Sequence, residues 1–552
     1  MGGVSRARGW GAFRSLAGNR ALARMVGGYV LFTLTQYSVW VAMLVYAYRH
    51  GGAAVAGLVA VAQLVPAAVV APVAVAVADR RSPVFLLAGG YLVQAAGMAA
   101  TAVAVVAGVP LAAYAAAVVA SAAVATTRPA QSTLIPSVSV TPDQLTAANV
   151  VASWVEAAGI AAAGLMTGVL IAAGGVASVF AVCAGLGLAA ALLTAGLRVP
   201  PLASAPTRTP AVLEGLGASV RLAARQPRLR LMLALLTAEA VVVGALDLLF
   251  VILAITVLGR PQAWAGYLNS AYGVGAVLAA VVSAMLVGRR LGLPILAAAL
   301  LLSGALAVLA SGFGLAATVA LLVVVGASRA LLDVASRTLM QRSVPAQLLG
   351  RVFGLAEGLT MAGLAAGALL VPALVHLGGS RLALLGVAAV LPLAAAAGGR
   401  ALFGLDSGTP VPVVQIALLR SLPLFADLPA PELEGLAAAL TPATVPAGTE
   451  LIRQGDPGDA YYAIAAGELD ALQDGHLLRR CARGEGVGEI ALLRDVPRTA
   501  TVVAHTDATV YKLDRAPFLT AVLGHAPTQR HADRIADTRL AAPADGEGDT
   551  AG

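Results

Sequence analysis

Residues 25–78 read MVGGYVLFTLTQYSVWVAMLVYAY, then Arg49-His50, then GGAAVAGLVAVAQLVPAAVVAPVAVAVA. Apart from Arg49 and His50, the stretch carries no acidic or basic side chain. A helix rises about 1.5 Å per residue, so roughly 20 apolar residues cross a hydrocarbon core of about 30 Å. Each arm is long enough for one crossing. A lipid-facing strand would alternate in polarity, and neither arm does. The stretch therefore predicts two transmembrane helices.

The same test extends along the chain. Residues 82–127, 157–197 and 291–328 are also free of Asp, Glu, Lys and Arg, and each is long enough for two crossings. Pro110, Gly174-Gly175 and Ser311-Gly312 supply their break points. Apolar segments near 229–258, 262–287, 350–376 and 380–400 bring the expectation to twelve helices. Of the 552 residues 59% are hydrophobic and 12% charged, against about a quarter charged in soluble domains. The charge is unevenly divided. Residues 1–417 hold 24 basic and 9 acidic side chains, and residues 418–552 hold 12 and 19. The basic excess lies between apolar runs, so it predicts no nucleic-acid partner.

Single residue types exclude several activities. Lys512 is the chain's one lysine and sits in Val-Tyr-Lys-Leu, so there is no GxxxxGK[ST] phosphate loop and no motor of that kind. Cys183 and Cys481 make neither a disulfide framework nor a metal site. No nucleophile–base pair or metal-binding set stands out, and the chain reads as non-enzymatic, with no metal.

Arginine placement orients the helices. With the N-terminus inside, 19 arginines fall in inner segments, and Arg49, Arg260 and Arg381 fall outside. This asymmetry predicts a multi-pass protein of the cell membrane with both termini cytoplasmic. The N-terminus reads as an uncleaved anchor. Repeats then divide the bundle. Thr133-Leu134 and Pro142-Asp143-Gln144-Leu145 recur as Thr338-Leu339 and Pro345-Ala346-Gln347-Leu348, and Gly174-Gly175 recurs as Gly378-Gly379. With Arg80-Arg81 against Arg289-Arg290, all offsets lie between 203 and 209 residues. The expectation is two parallel six-helix repeats, 25–197 and 229–400, joined by a cytoplasmic loop over 198–228 and preceded by a basic segment, 1–24.

Residues 20–400 resemble the major facilitator superfamily, most closely its exporter branch. The signals are Ala78-Asp79-Arg80-Arg81 after the second span, Arg128-Pro129-Ala130 at the end of the fourth, and Val344-Pro345 with Gly350-Arg351-Val352-Phe353 before the eleventh. The resemblance implies secondary transport of a small molecule by alternating access, with Asp79, Arg80 and Arg81 as a gate motif. Gln36-Tyr37 stand where such exporters often carry an acid.

An ionisable group at mid-bilayer costs roughly 2.5–3.5 kcal/mol on insertion scales, so each is a candidate for function. Glu156 in the fifth span and Glu239 in the seventh lie near the midplane, Asp247 lies nearer the outer face, and Arg128, Asp333 and Glu357 near the inner end. Glu156, Glu239, Asp247 and Arg128 are the candidates for transport or proton coupling. The bland reading pairs Glu156 and Glu239 structurally within the bundle and gives Arg128, Asp333 and Glu357 a snorkelling or gate-latching role. Gly159, Gly164, Gly168, Gly363 and Gly367 suit close helix packing.

Beyond a turn-rich linker, 401–417, the composition turns soluble. Residues 415–440 read as helical and 443–513 as short strands broken by Gly turns, an α+β domain with a small β-barrel or jelly roll. An amphipathic stretch over 515–540 closes it, and 541–552 read as a disordered tail. Within it, Gly484-Glu-Gly-Val-Gly488-Glu489-Ile490-Ala491 leads to Arg498-Thr499-Ala500. Gly488 allows a tight turn into one helical turn whose N–H groups at Ile490 and Ala491 suit an anion. Arg498 offers a two-pronged bond to the same anion, and Glu489 an acceptor for a hydroxyl. An anion beside a diol is a nucleotide sugar-phosphate.

That stretch, within 418–540, resembles the phosphate cassette of cyclic-nucleotide-binding domains. The resemblance implies that Arg498 takes the cyclic phosphate, Glu489 the ribose 2′-hydroxyl, and the Gly488–Ala491 backbone completes the cradle. Thr499, beside Ala500, leaves cyclic AMP and cyclic GMP both open as regulatory ligand. The combined expectation is a transporter, an exporter of small or amphiphilic molecules, governed by a cyclic nucleotide. Its partners are the lipid bilayer, the nucleotide and a small-molecule solute carried with or without a proton. The alternative is a membrane-anchored nucleotide sensor whose transporter fold carries no solute.

Overall fold

The computed structural model describes residues 19–78, 83–138, 142–197, 226–283, 291–344, 346–398, 413–425, 428, 430–523 and 526–541. The gate motif Asp79–Arg81 and most of the expected N-terminal, central-loop, linker and tail segments lie outside them. The chain forms two compact units, one built on the apolar helices before residue 410 and one on residues 410–552.

The elements among the described residues of the first unit are helices: α1 (Arg20–Ala78), α2 (Pro83–Val106), α3 (Pro110–Val138), α4 (Pro142–Ala195), α5 (Pro227–Ile252), α6 (Ala263–Ser283), α7 (Gly292–Leu309), α8 (Leu315–Ser343) and α9 (Ala346–Gly398). Seven of the described helices are long and apolar enough to cross a membrane. Three are broken inside. In α1 the break is Gly51 (φ −164°, ψ 23°) and Gly52 (φ 64°, ψ −159°), and in α9 it is Gly378 (φ −163°, ψ 23°) and Gly379 (φ 72°, ψ −170°). The two breaks share one backbone conformation. The second residue of each occupies a region open essentially to glycine alone, because a Cβ there would clash with the backbone. Gly175 (φ 74°, ψ −174°) breaks α4 in the same way. The expected breaks at Pro110 and Ser311-Gly312 are also present, α3 starting on Pro110 and Gly312 (φ 75°) lying between α7 and α8.

In this unit α5 packs along α9, α6 along α8 and α2 along α3. From Leu248 to Ala254 every residue is buried, as befits a helix enclosed on all sides. The glycines expected to permit close packing do so. A Cβ on Gly164 would stand 2.6 Å from the Ser270 amide and 2.7 Å from the Gly266 carbonyl, and one on Gly367 would collide with the Val241 carbonyl. Gly159 abuts Thr33, Gly168 abuts Tyr267, and Gly363 abuts Thr237 and Ala240. A five-residue π-helical segment, Leu253–Val257, follows α5. Such segments are rare and recur at functional sites.

The second unit opens with α10 (Val413–Ser421), a 3₁₀ turn (Pro423–Phe425) and α11 (Ala430–Ala439), so the helical stretch expected over 415–440 is three short pieces. Eight strands follow: β1 (Thr441–Val445), β2 (Glu450–Ile452), β3 (Ala460–Ala466), β4 (Leu469–Gln473), β5 (His476–Cys481), β6 (Gly486–Val487), β7 (Thr501–Ala504) and β8 (Ala508–Asp514). They form two antiparallel four-stranded sheets, ordered β1-β8-β3-β6 and β2-β7-β4-β5. Ile452, Ile464, Leu469, Val487, Val502 and Val510 fill the space between them. The helix α12 (Glu489–Arg494) interrupts the strands, and α13 (Arg515–Leu523) and α14 (Ala526–Ala541) close the unit. Phe425, Tyr461 and Phe518 hold the helical pieces to the sheets, with ring centroids 5.1–6.1 Å apart.

Candidate functional site

The site in the second unit is built on two turns brought together. Gly488 follows β6 in the left-handed conformation (φ 91°, ψ 5°) and caps α12, whose first residue is Glu489. The other turn, Gln454–Asp459, joins β2 to β3. It is stapled to residues 498–501 by Gly455 N–H to the Arg498 carbonyl (2.8 Å), Arg498 N–H to the Asp456 carbonyl (2.8 Å) and Gln454 N–H to Thr501 Oγ1 (3.0 Å).

Arg498 lies between the turns, its side chain 4% exposed. Nη1 donates to the Gly488 carbonyl at 2.9 Å, and Nη2 donates to Asp459 Oδ1 at 2.9 Å and to the Ala460 carbonyl at 2.7 Å. A guanidinium has five N–H donors, and Nε–H and one N–H of Nη1 have no acceptor among the described residues. The two-pronged contact expected from sequence does not run through Nη2, whose two hydrogens are spent on the protein. A buried cation needs such acceptors, and here they also fix its direction.

Glycine is required at 488 on two counts. Its φ is positive, and a Cβ there would stand 2.5 Å from Arg498 Nη1 and 3.1 Å from the Ala460 carbonyl. Glu489 is 2% exposed and lines a cavity of about 380 Å³ shared with Tyr461, Arg479, Glu485, His531 and Arg534. Ile490, Thr499 and Ala500 are half-buried and Ala491 is buried.

Charged groups surround Asp459. Lys512 Nζ lies 3.8 Å from its Oδ2 and 3.3 Å from Asp514 Oδ1, and its hydrogen bond to Asp514 raises the ammonium's pKa. The Tyr462 phenol is pushed above its ordinary value, first by burial and then by Asp459. Arg515 donates Nη1 to the Gly458 carbonyl at 3.1 Å and pairs with Asp495. The sequence points to Arg498 and Glu489 but gives Asp459 no role. Its signal is the Gly455-Asp456-Pro457-Gly458-Asp459 turn, which displays a carboxylate just before a strand.

In the helical unit the candidates separate. Glu239 is 3% exposed, and its Oε1 accepts from Arg329 Nε at 2.9 Å. Asp247 Oδ2 accepts from the Trp40 indole at 2.9 Å, linking α5 to α1. Asp333 pairs with Arg337 at 2.7 Å, one turn along α8. Glu156 is half-buried on α4, and Glu357 is exposed on α9. Arg128 belongs to α3, but its side chain lies outside the described residues.

Known proteins match each unit separately. The curated relatives align with the second unit. The cAMP-dependent protein kinase regulatory subunit of Aspergillus niger is 43% identical over 104 residues, 18% of this chain and 25% of that protein. That of Yarrowia lipolytica is 38% identical over 112 residues, 19% of this chain and 30% of that protein. Against these relatives, the chain spans about a quarter to a third of their length. Among solved structures, the regulatory domain of Toxoplasma gondii PKA with cAMP is 32% identical, covering 20% of this chain and 44% of that one, with a TM-score of 0.19. The profile described as Cyclic nucleotide-binding domain matches residues 442–525, so the second unit carries such a domain. The profile described as Major Facilitator Superfamily matches residues 25–361, more than half of the 552, and the chain belongs to that superfamily.

Proposed function

We propose that the chain is a secondary transporter of the cell membrane, exporting a small or amphiphilic molecule by alternating access under control of a cyclic nucleotide. The observation that carries this reading is the buried Arg498, held beneath the left-handed Gly488, on the same chain as the apolar superfamily bundle. Each of the three broken helices is a hairpin of two spans, which makes twelve in two parallel repeats. The two packed sheets are a jelly roll. Both termini are cytoplasmic, where the nucleotide is.

At the nucleotide site, Arg498 takes the cyclic phosphate through its remaining donors, Glu489 the ribose 2′-hydroxyl, and the Gly488–Ala491 backbone the phosphate oxygens. Thr499 and Ala500 border the base. The likeness to cAMP-dependent kinase subunits favours cyclic AMP. Nucleotide binding biases the inward- and outward-open states through residues 401–417, for which a coupling of about 1–3 kcal/mol is sufficient. Gln36-Tyr37, in place of an acid in the first span, favour one other reading, a sensor that carries no solute.

The test is titration of the purified full chain with cyclic AMP and cyclic GMP, beside solute flux in liposomes with and without nucleotide. Binding together with altered flux supports regulated transport. Binding without flux supports the sensor, and no binding defeats the nucleotide role.

A further inference from the structure

Inside the helical unit a buried ion pair leaves donors unused. Arg329 on α8 gives its Nε to Glu239 Oε1 on α5 at 2.9 Å, while Nη1 and Nη2 find no acceptor among the described residues. The Arg329 side chain is 27% exposed, against 4% for that of Glu239. Tyr272 of α6, Asp333 of α8 and Tyr37 of α1 stand within electrostatic range of the guanidinium. Residues of α1, α5, α6 and α8 thus lie about the guanidinium, whose side chain is not closed off.

The described carboxylates near it are engaged or closed off. Asp333 is spent on Arg337 and Asp247 on the Trp40 indole. The second oxygen of Glu239, Oε2, is closed off with no hydrogen-bond partner. What this ion pair still offers a solute is a pair of parallel N–H donors carrying positive charge. That edge fits the two oxygens of a carboxylate, whereas an ammonium would meet a guanidinium in a medium that screens poorly.

Resting on the transporter reading above, we propose that the solute is an organic anion whose carboxylate is received by Nη1 and Nη2 of Arg329. Glu239 is the positioning residue. It holds Nε, turns the free edge toward the solute and keeps the buried cation partly neutralised while the site is empty. Its negative charge opposes a second anion, so removing the charge while keeping an acceptor strengthens capture.

The experiment uses the full chain in liposomes. Uptake of carboxyfluorescein, taurocholate and benzoate is compared with uptake of ethidium and tetraphenylphosphonium. The expected result is flux of at least one anion and of neither cation. Arg329→Lys and Arg329→Gln lower anion flux about tenfold or more, because neither keeps the fork. Glu239→Gln lowers the KM for that anion several-fold with kcat little changed, while Glu239→Ala raises it. A carboxylate of purely structural use would raise KM, or lose folded protein, in both variants. Gel-filtration profiles report folding. Flux of cations without anions overturns the proposal, as does unchanged anion flux in a monodisperse Arg329→Gln. Flux of neither class overturns the transporter reading on which it rests.

Discussion

Asp459, 66% exposed, reaches inward to hold the guanidinium of Arg498, 4% exposed, at 2.9 Å. A surface carboxylate thereby sets the direction of a buried cation. Because Nη2 also donates to the Ala460 carbonyl, the residue after Asp459, the β2–β3 turn and the 488–498 segment form one cradle.

Asp459→Asn keeps the size of the side chain but removes half of a charge-assisted bond, of the kind worth about 1.5–3 kcal/mol. Nucleotide affinity of the full chain is expected to fall about ten- to a hundredfold, with gel-filtration behaviour unchanged. Titration calorimetry reads this, and equal affinities would remove Asp459 from the site.

Gly488→Ala forces a Cβ into a left-handed position and against Arg498 Nη1. The strain costs about 1–3 kcal/mol. A lower melting temperature for the nucleotide-binding domain is expected within the full chain, together with loss of detectable nucleotide binding. Differential scanning calorimetry and titration check the two parts separately.

Acid should act at Asp470. Hydrogen bonding from Arg480, at 2.8 Å, holds this carboxyl below its ordinary value, with His505 adding to the effect. A carboxylate whose pKa is lowered on folding stabilises the folded state above its unfolded value, about 3.9, and loses that contribution as pH falls through the folded value. The melting temperature of Asp470→Asn should therefore lie below that of the parent at pH 7 and converge with it below about pH 4. A constant difference across that range would refute the linkage.

Trp40→Phe removes the indole N–H from Asp247 and leaves that carboxylate short of a donor. The expected destabilisation is about 1–3 kcal/mol. Thermal unfolding of the detergent-purified chain measures it, and solute flux shows whether the α1–α5 contact also serves transport.

Gly367→Val places a branched side chain where the Val241 carbonyl already lies. The α5 and α9 helices must then move apart, and the yield of monodisperse protein should fall sharply. Gly354→Val, on α9 with open space around it, is the control and should express as the parent does.

Much of the architecture was legible in the chain. Roughly 20 apolar residues without charge can satisfy their backbone in lipid in one way, as helix, so runs such as 25–48 announced themselves by length. The Gly174-Gly175 and Gly378-Gly379 echo marked breaks that the backbone shows, because a turn needing positive φ selects glycine. The same logic made Gly488 readable. The likeness of Gly51-Gly52 to Gly378-Gly379 lies in torsion angles, and two adjacent glycines in a glycine-rich chain carry little signal.

Residue order and spacing determined the apolar helices, their glycine breaks and the turn at Gly488, because each rests on a local pattern of a few to a few dozen residues. Tertiary structure alone decided that Asp459 and Ala460 take both hydrogens of Nη2, that Glu239 holds Arg329 across 90 positions, and that Trp40 meets Asp247 across 207. Those partners are set by how helices and turns pack in three dimensions. A hydrogen bond depends on distance and direction in space, which separation along the chain does not encode.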